Sequence, residues 1–375
     1  MTPAEPPHRA PAFDLVLDVW DPTRGGLESY AEQLCTALLE ADHRVRIITG
    51  AVRQPPPPRA AVIETGGRGP TFYRAADALT AHGDARVLSF RHPGHEAHVF
   101  LPLGGLLAAS LEARRRAEPP SIRWLRRTAR ALSPRTNAFL RRERAFFAAA
   151  DRTVLASSEL VGADIRRRFA AFTGSIAVTG LPIDEARFTV PTPADRRRTR
   201  AELALDPTAP CLLWIGNDPV RKGLPAARAV LRALRGDHPE ATLVLAGHGS
   251  ERLNGAEPGL RGVGHVGHTP RLIHAADVLL APSLEDNLSL VVLEALASGL
   301  AVVTTQQNGA CHYIQSARVG RVVTDAQDAE ALLRATRTML AVDTDDPAAR
   351  QERRAAVATC FRGTHFQQVI ALLRG

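Results

Sequence analysis

Short apolar blocks alternate with longer amphipathic stretches along nearly the whole chain. Blocks rich in Val, Ile, Leu and Phe read as buried strands, and the stretches with apolar residues every three or four positions read as helices. In the first half the pattern predicts strands at Phe13–Trp20, Val45–Thr49, Ala61–Glu64, Arg86–Phe90, His98–Leu101 and Val154–Ser157, the last taken as the final strand of that half. It predicts helices at Leu27–Ala41, Phe72–Ala81 and Glu159–Ala171, after which Ile176–Val178 leads into Gly180, Leu181 and Pro182. The stretch Gln54–Arg59, with four prolines, is a loop. Residues 183–208 are polar and proline-bearing, and read as a linker with a helix from Ala194 to Leu205.

The alternation then starts again. Strands are expected at Cys211–Ile215, Thr242–Ala246, Gly264–Val266, Asp277–Ala281, Leu300–Thr304 and Gly320–Val323. Helices are expected at Pro225–Leu234, Pro270–Ala275, Leu288–Gly299 and Asp328–Ala341, with an amphipathic end at Thr364–Leu373. Repeated βα units point to an α/β protein with two Rossmann-like, doubly wound domains facing a cleft. The organisation expected is a tail (1–12), a first domain (13–182), a linker and helix (183–208), a second domain (209–355) and a final segment (356–375).

Within the second half, PSLEDNLSLVVLEALASG (Pro282–Gly299) is a strand end, an acidic turn and an apolar helix. Asp286 and Glu294 are eight positions apart, and the amides of Ser289, Leu290 and Val291 lie between them at the helix start. A helix N-terminus attracts anions, and carboxylates accept hydrogen bonds from hydroxyls, so the stretch suits a sugar nucleotide. A plain capped helix, with acids favoured at its start, explains the same letters.

Charge changes the picture in one respect. The chain of 375 residues carries a net charge of +8, which favours anionic partners. Of 47 basic residues only Lys222 is a lysine, a bias that reads as genomic drift to arginine. A lysine retained against that drift marks a place for a compact ammonium. The cysteines, Cys35, Cys211, Cys311 and Cys360, are scattered without zinc spacing. The N-terminal MTPAEPPHRAPA has no apolar core of a signal peptide, and no run is long enough to span a membrane, so a cytoplasmic setting is expected.

Several motifs stand in a specific order: GNDPVRKG (Gly216–Gly223), LVLAGHGS (Leu243–Ser250), HVGHTPRLIHAADVLLAPS (His265–Ser283) and Asp286-x7-Glu294. In these the chain resembles the retaining, family 4 glycosyltransferases of the GT-B fold. With RKG after a glycine turn, NGACHYI (Asn308–Ile314) and a basic first-half segment, it is most similar to the members that add glucose to lipopolysaccharide core. The resemblance implies a final helix that crosses back to the first domain. It gives Arg221 and Lys222 the donor diphosphate, Glu294 the ribose hydroxyls, and Asp286 the transferred sugar, where the family has Glu. Gly25 and Gly26 match the first-half glycine turn that approaches phosphates or sugar. Gly216 and the amides of Ser289, Leu290 and Val291 complete the donor site, and Val266 lies near the base. Asn308 and Gly309 are expected to line the cleft. The polar residue the family places after a short first-half strand would fall at Leu103 or Gly104, neither of which can supply the contact.

The resemblance further implies no cofactor and no metal, with a nucleotide sugar, UDP-glucose in the first place, as substrate. His92, His95 and His98 share a three-residue spacing, but Pro93 and Gly94 argue against a shared helical face for a metal. From Glu112 to Ala148 eleven Arg and three Glu are interleaved with Ile122, Trp124, Leu125, Phe139, Leu140, Phe146 and Phe147. This reads either as a segment docking on an anionic membrane surface or as helices with buried apolar faces and solvated arginines. No nucleic-acid motif accompanies it. The function expected is hexose transfer to a lipid-linked glycan, peripheral on the inner membrane face. A UDP-sugar epimerase of the same architecture and a weakened sugar-nucleotide-binding scaffold are the alternatives.

Overall fold

The protein was analysed as a computed structural model that describes residues 12–24, 26–117, 133–342 and 346–374. The chain divides into two compact units, Met1–Thr179 with Phe366–Gly375, and Gly180–His365.

Unit 1 holds a parallel sheet in the order β3-β2-β1-β4-β5-β6-β7. Its strands are β1 (Ala12–Leu17), β2 (Arg44–Thr49), β3 (Ala61–Glu64), β4 (Arg86–Ser89), β5 (Val99–Phe100), β6 (Thr153–Ala156) and β7 (Ser175–Val178). Two boundaries differ from expectation. Strand β1 ends at Leu17, and Trp20 makes only an isolated bridge to Val52. Val154–Ser157 is not the last strand, because Ser175–Val178 pairs with β6 as a further edge. The helix Arg362–Arg374 ends the described chain, and its residues from Phe366 onward belong to unit 1. There Phe366 packs on Tyr30, and Arg86 donates to Leu373 O at 2.6 Å. The crossing helix is thus present.

The helix Pro134–Ala148 corrects part of the membrane reading. Phe139, Phe146 and Phe147 are buried in the core, not presented to a lipid surface, while Arg141 and Arg144 are exposed. Arg142 is buried as well, paired with Asp77 at 2.7 Å and donating to Pro93 O. Ile122, Trp124 and Leu125 lie outside the described residues. The three histidines are used separately. His92 stacks on Phe139 at 3.8 Å, and burial beside Arg91, Arg135 and Arg142 lowers its pKa to about 4, so it is a neutral, partly buried ring packed on the core. His98 Nδ1 accepts from the Val87 amide, and the His95 amide donates to Asp77.

Unit 2 holds a parallel sheet in the order β10-β9-β8-β11-β12-β13. The strands are β8 (Cys211–Ile215), β9 (Thr242–Ala246), β10 (Leu260–Gly262), β11 (Val278–Ala281), β12 (Ala301–Thr305) and β13 (Gly320–Val323). Successive residues face opposite layers, as a strand requires. Leu213, Leu279 and Val302 pack with the helices Pro270–Ala275 and Leu290–Ala297 on one face. Leu212, Trp214, Leu280 and Val303 pack with Leu224–Leu234 and Ala329–Ala341 on the other. Burial on both faces is why these strands read as continuous apolar runs.

The strand expected at Gly264–Val266 is instead Leu260–Gly262, paired with Leu243–Leu245. Gly264 has φ +74°, which breaks the extended run. The helix expected from Leu288 to Gly299 spans Leu290–Ala297, and Gly299 takes the left-handed position after it with φ +73°. The segment 183–208 carries the helix Pro193–Glu202, which is part of unit 2.

Candidate functional site

In an open parallel sheet ligands bind beyond the carboxyl ends of the strands, where the strand order reverses. In unit 2 that point lies between β8 and β11, which are neighbours though not consecutive. The two loops leaving them are Gly216–Gly223 and Pro282–Ser289, so the topology brings both motifs to one sheet edge.

The loops are tied by three contacts. Leu284 N donates to Arg221 O at 2.8 Å, Arg221 Nη1 donates to Glu285 O at 3.0 Å, and Lys222 Nζ pairs with the Asp286 carboxylate. Trp214 Nε1, at the end of β8, holds Lys222 O at 3.0 Å. A Cβ on Gly216 would stand 3.1 Å from both Lys222 Cγ and the Trp214 ring, so the bare glycine lets the lysine stem lie against the strand end. Arg221 is exposed, with Asp218 at 3.4 Å as a loose partner. Arg221 and Lys222 therefore stand as a basic pair at the switch point, with Asp286 set against Lys222.

The helix Leu290–Ala297 follows Asp286. Of the three amides expected to be open, that of Ser289 is already taken, donating to Asn308 Oδ1 at 3.3 Å. The amides of Leu290 and Val291 have no partner among the described residues. Glu294, one turn on, is partly buried, and its carboxyl has no hydrogen-bond or ion-pair partner among the described residues. Burial pushes its carboxyl up to about 7, an effect that the nearby Arg187 guanidinium opposes. An unpaired, half-buried carboxyl is costly to keep charged, and a pair of hydroxyl donors would relieve that cost.

Val266 lies in the loop after β10, partly buried against the core beneath the same helix. Arg187 donates to Gly267 O at 2.8 Å, so one guanidinium serves both this loop and the surroundings of Glu294. Arg187 escaped the sequence reading because it sits in the polar stretch after Pro182, which carries no motif. In the neighbouring loops, His248 and His265 stack at 4.4 Å. Asn308 is wholly buried and forms a bridge with Asp286, so it lies behind the site and does not line it. Gly26 begins the helix Gly26–Glu40 in unit 1, and Gly25 lies outside the described residues. Among the described residues no three His, Cys, Asp or Glu side chains converge as a metal ion would need. No helix among them is long and apolar enough to cross a membrane.

Residues 209–342 match the family model of glycosyl transferases group 1. Unit 2 carries a glycosyl transferases group 1 domain. Among curated proteins, glycogen synthase of Mycobacterium tuberculosis (strain CDC 1551 / Oshkosh) is 33% identical over 230 residues, 58% of this chain and 52% of that protein. The lipopolysaccharide glucosyltransferase WaaG of Escherichia coli (strain K12) is 33% identical over 129 residues, 32% of this chain and 34% of that protein. The chain spans about half the length of the glycogen synthase it matches. A solved WaaG structure superposes with a TM-score of 0.73 at 21% identity, over 97% of this chain and 100% of that one. Sucrose-phosphate synthase of Thermosynechococcus elongatus gives 0.74 at 20% identity, over 97% and 98%. These likenesses show the GT-B fold.

Proposed function

We propose that the chain is a retaining, metal-independent glycosyltransferase that moves a hexose, glucose from UDP-glucose, to a membrane-linked glycan. The observation that carries the reading is the juxtaposition of Arg221, Lys222 and Asp286 with the partnerless Glu294 at the β8–β11 switch point. In this reading Glu294 accepts from the ribose hydroxyls, the open amides of Leu290 and Val291 and the basic pair take the diphosphate, and Asp286 meets the sugar. The matched group 1 domain and the glycosyl-transferring relatives support it.

The acceptor hydroxyl attacks the anomeric carbon from the face the nucleotide leaves. The bond to the diphosphate breaks with its electron pair going to the phosphate oxygen, and that oxygen takes the acceptor proton. No protein nucleophile is needed. Arg221 and Lys222 act where negative charge grows on the leaving oxygen, which is where fixed cations lower a barrier most. Lipopolysaccharide is the acceptor class that WaaG, by its name, points to. The exposed arginines of the segment 112–148, Arg141 and Arg144 among those described, would serve the anionic membrane surface. The test is release of UDP and transfer of label from UDP-[14C]glucose to a core glycan acceptor, with anomeric configuration read by NMR. Lys222→Ala and Glu294→Ala should abolish transfer while leaving the fold. Full turnover by both variants overturns the assignment.

A further inference from the structure

Asn308 is wholly buried, and every polar atom of its side chain is used. Its Oδ1 accepts from the Ser289 amide at 3.3 Å and from the Ala310 amide at 3.0 Å, and its Nδ2 donates to Thr304 Oγ1 at 3.1 Å. Thr304 spends its only hydroxyl hydrogen on Ala281 O at 2.8 Å, so toward Asn308 its oxygen can only accept. The amide orientation follows from this: oxygen toward the two amides, nitrogen toward the threonine. A carboxylate of the same shape would set oxygen against oxygen at Thr304.

The backbone around Asn308 closes on Asp286. Asp286 N donates to Gln307 O at 2.9 Å, and Gly309 N donates to Asp286 O at 2.8 Å. Asn308 thereby joins three segments: the end of β11 through Thr304, the start of the helix that carries Glu294, and the residue whose carboxylate meets Lys222. Ser289 does not cap its helix with its own side chain, so the start of that helix is held from outside by the asparagine.

We propose that Asn308 is a positioning residue for the transferred sugar: its directional amide fixes the Asp286 segment against the start of the Glu294 helix. The inference rests on the reading of Asp286 as the sugar contact. Asn308 touches no part of the donor itself and acts through Asp286. Misplacing a contact by a fraction of its length lowers the chemical step far more than it lowers nucleotide binding. The nucleotide keeps Glu294, Arg221 and Lys222, so it should hardly notice the change.

The experiment uses the full chain and two variants, Asn308→Ala and Asn308→Asp, with UDP affinity by calorimetry and UDP release from UDP-glucose as turnover. Both variants should turn over about tenfold or more slowly at pH 8, with UDP affinity within about threefold of the parent. As pH falls, Asn308→Asp should regain turnover relative to the parent at the same pH, because a neutral carboxyl offers the same acceptor and donor pair as the amide. Asn308→Ala should regain nothing. Parental turnover in both variants overturns the proposal, as does a parallel loss of turnover and UDP affinity, which marks a domain merely loosened. A parent chain that binds no UDP defeats the donor-site reading, and the proposal with it.

Discussion

Lys222 Nζ and the Asp286 carboxylate form an ion pair that joins the loop after β8 to the loop after β11. The one lysine of the chain is thus held by the acid that the proposed function sets against the sugar. A diphosphate arriving at the switch point competes with that acid for the ammonium. Removing the acid's charge leaves the cation to the phosphates. Asp286→Asn should therefore bind UDP as tightly as the parent or more so, while UDP-glucose turnover falls roughly a hundredfold. Lys222→Ala should do the reverse to binding, lowering UDP affinity by about tenfold or more, since it removes a cation and leaves Asp286 uncompensated. Calorimetry with UDP separates the two. Weaker UDP binding by Asp286→Asn would show that the pair does not compete with the donor.

Glu294 carries a pH dependence with a defined sign. Burial raises its carboxyl from 4.5 to about 7. The folded protein holds a proton there that the unfolded chain releases at lower pH, so this group's contribution to stability declines as pH rises from about 4.5 through about 7. Above pH 7 the folded state keeps a buried charge at a cost on the order of 3 kcal/mol. Glu294→Gln should raise the melting temperature at pH 8 and leave it nearly unchanged at pH 4. Only the charged carboxylate can accept from both ribose hydroxyls with both oxygens free, so UDP affinity should rise with pH through about 7 in the parent and lie flat in Glu294→Gln. A parent affinity that does not change between pH 5 and pH 8 would remove Glu294 from the ribose.

The opposite edge of the same sheet is held by charge. Asp277 is buried and takes bonds from Arg196, from Arg200 at 2.7 Å and from the Cys211 amide at 2.7 Å. Arg200 also donates to Ala275 O, Ala209 O and Pro207 O, so the helix Pro193–Glu202 is bolted to the strand starts. Asp277→Ala leaves two guanidiniums buried without a carboxylate and should cost about 3–5 kcal/mol. Denaturant unfolding of the variant, followed by the Trp214 fluorescence within unit 2, checks this. An unchanged midpoint would show that the pair contributes nothing net.

How far the site was legible in the letters depends on the range of the forces involved. The strands of unit 2 could be read because burial on both faces makes them apolar throughout, and Lys222 and Glu294 could be read because a motif fixes their spacing. Asn308 could be noticed but not understood, since its bonds to Ser289 and Thr304 depend on three segments meeting. The helix Pro347–Ala355 went unseen because its buried face is made of alanine and arginine. Arg353, almost wholly buried, donates to Gly299 O at 3.1 Å, and Arg354 donates to Ala297 O at 2.6 Å. These cations cover the end of the helix that carries Glu294, where carbonyls are otherwise unpaired. A periodicity argument counts such arginines as surface. The basic segment left two readings open, and its described phenylalanines, in the core of unit 1, follow the one of helices with buried apolar faces.

Gly223 closes the basic loop and begins the helix Leu224–Leu234 with φ +70°. A Cβ there would stand 1.9 Å from Pro282 O, in the loop that leads to Asp286. Backbone meets backbone at this point, so no side chain can give way. Any other residue adds left-handed strain on the order of 1–2 kcal/mol and pushes the two loops apart. Gly223→Ala should therefore separate Lys222 from Asp286. UDP affinity and UDP-glucose turnover should fall together by about tenfold or more, unlike the split expected at Asn308. Ala227→Gly, one turn into the same helix on its buried face, is the control for helix stability: it should lower the unfolding free energy by the cost of an interior glycine, about 1 kcal/mol, and with it the melting temperature, and leave UDP affinity as it was. If Gly223→Ala lowers only the melting temperature, the close approach of the two loops is a feature of the fold and not of donor binding.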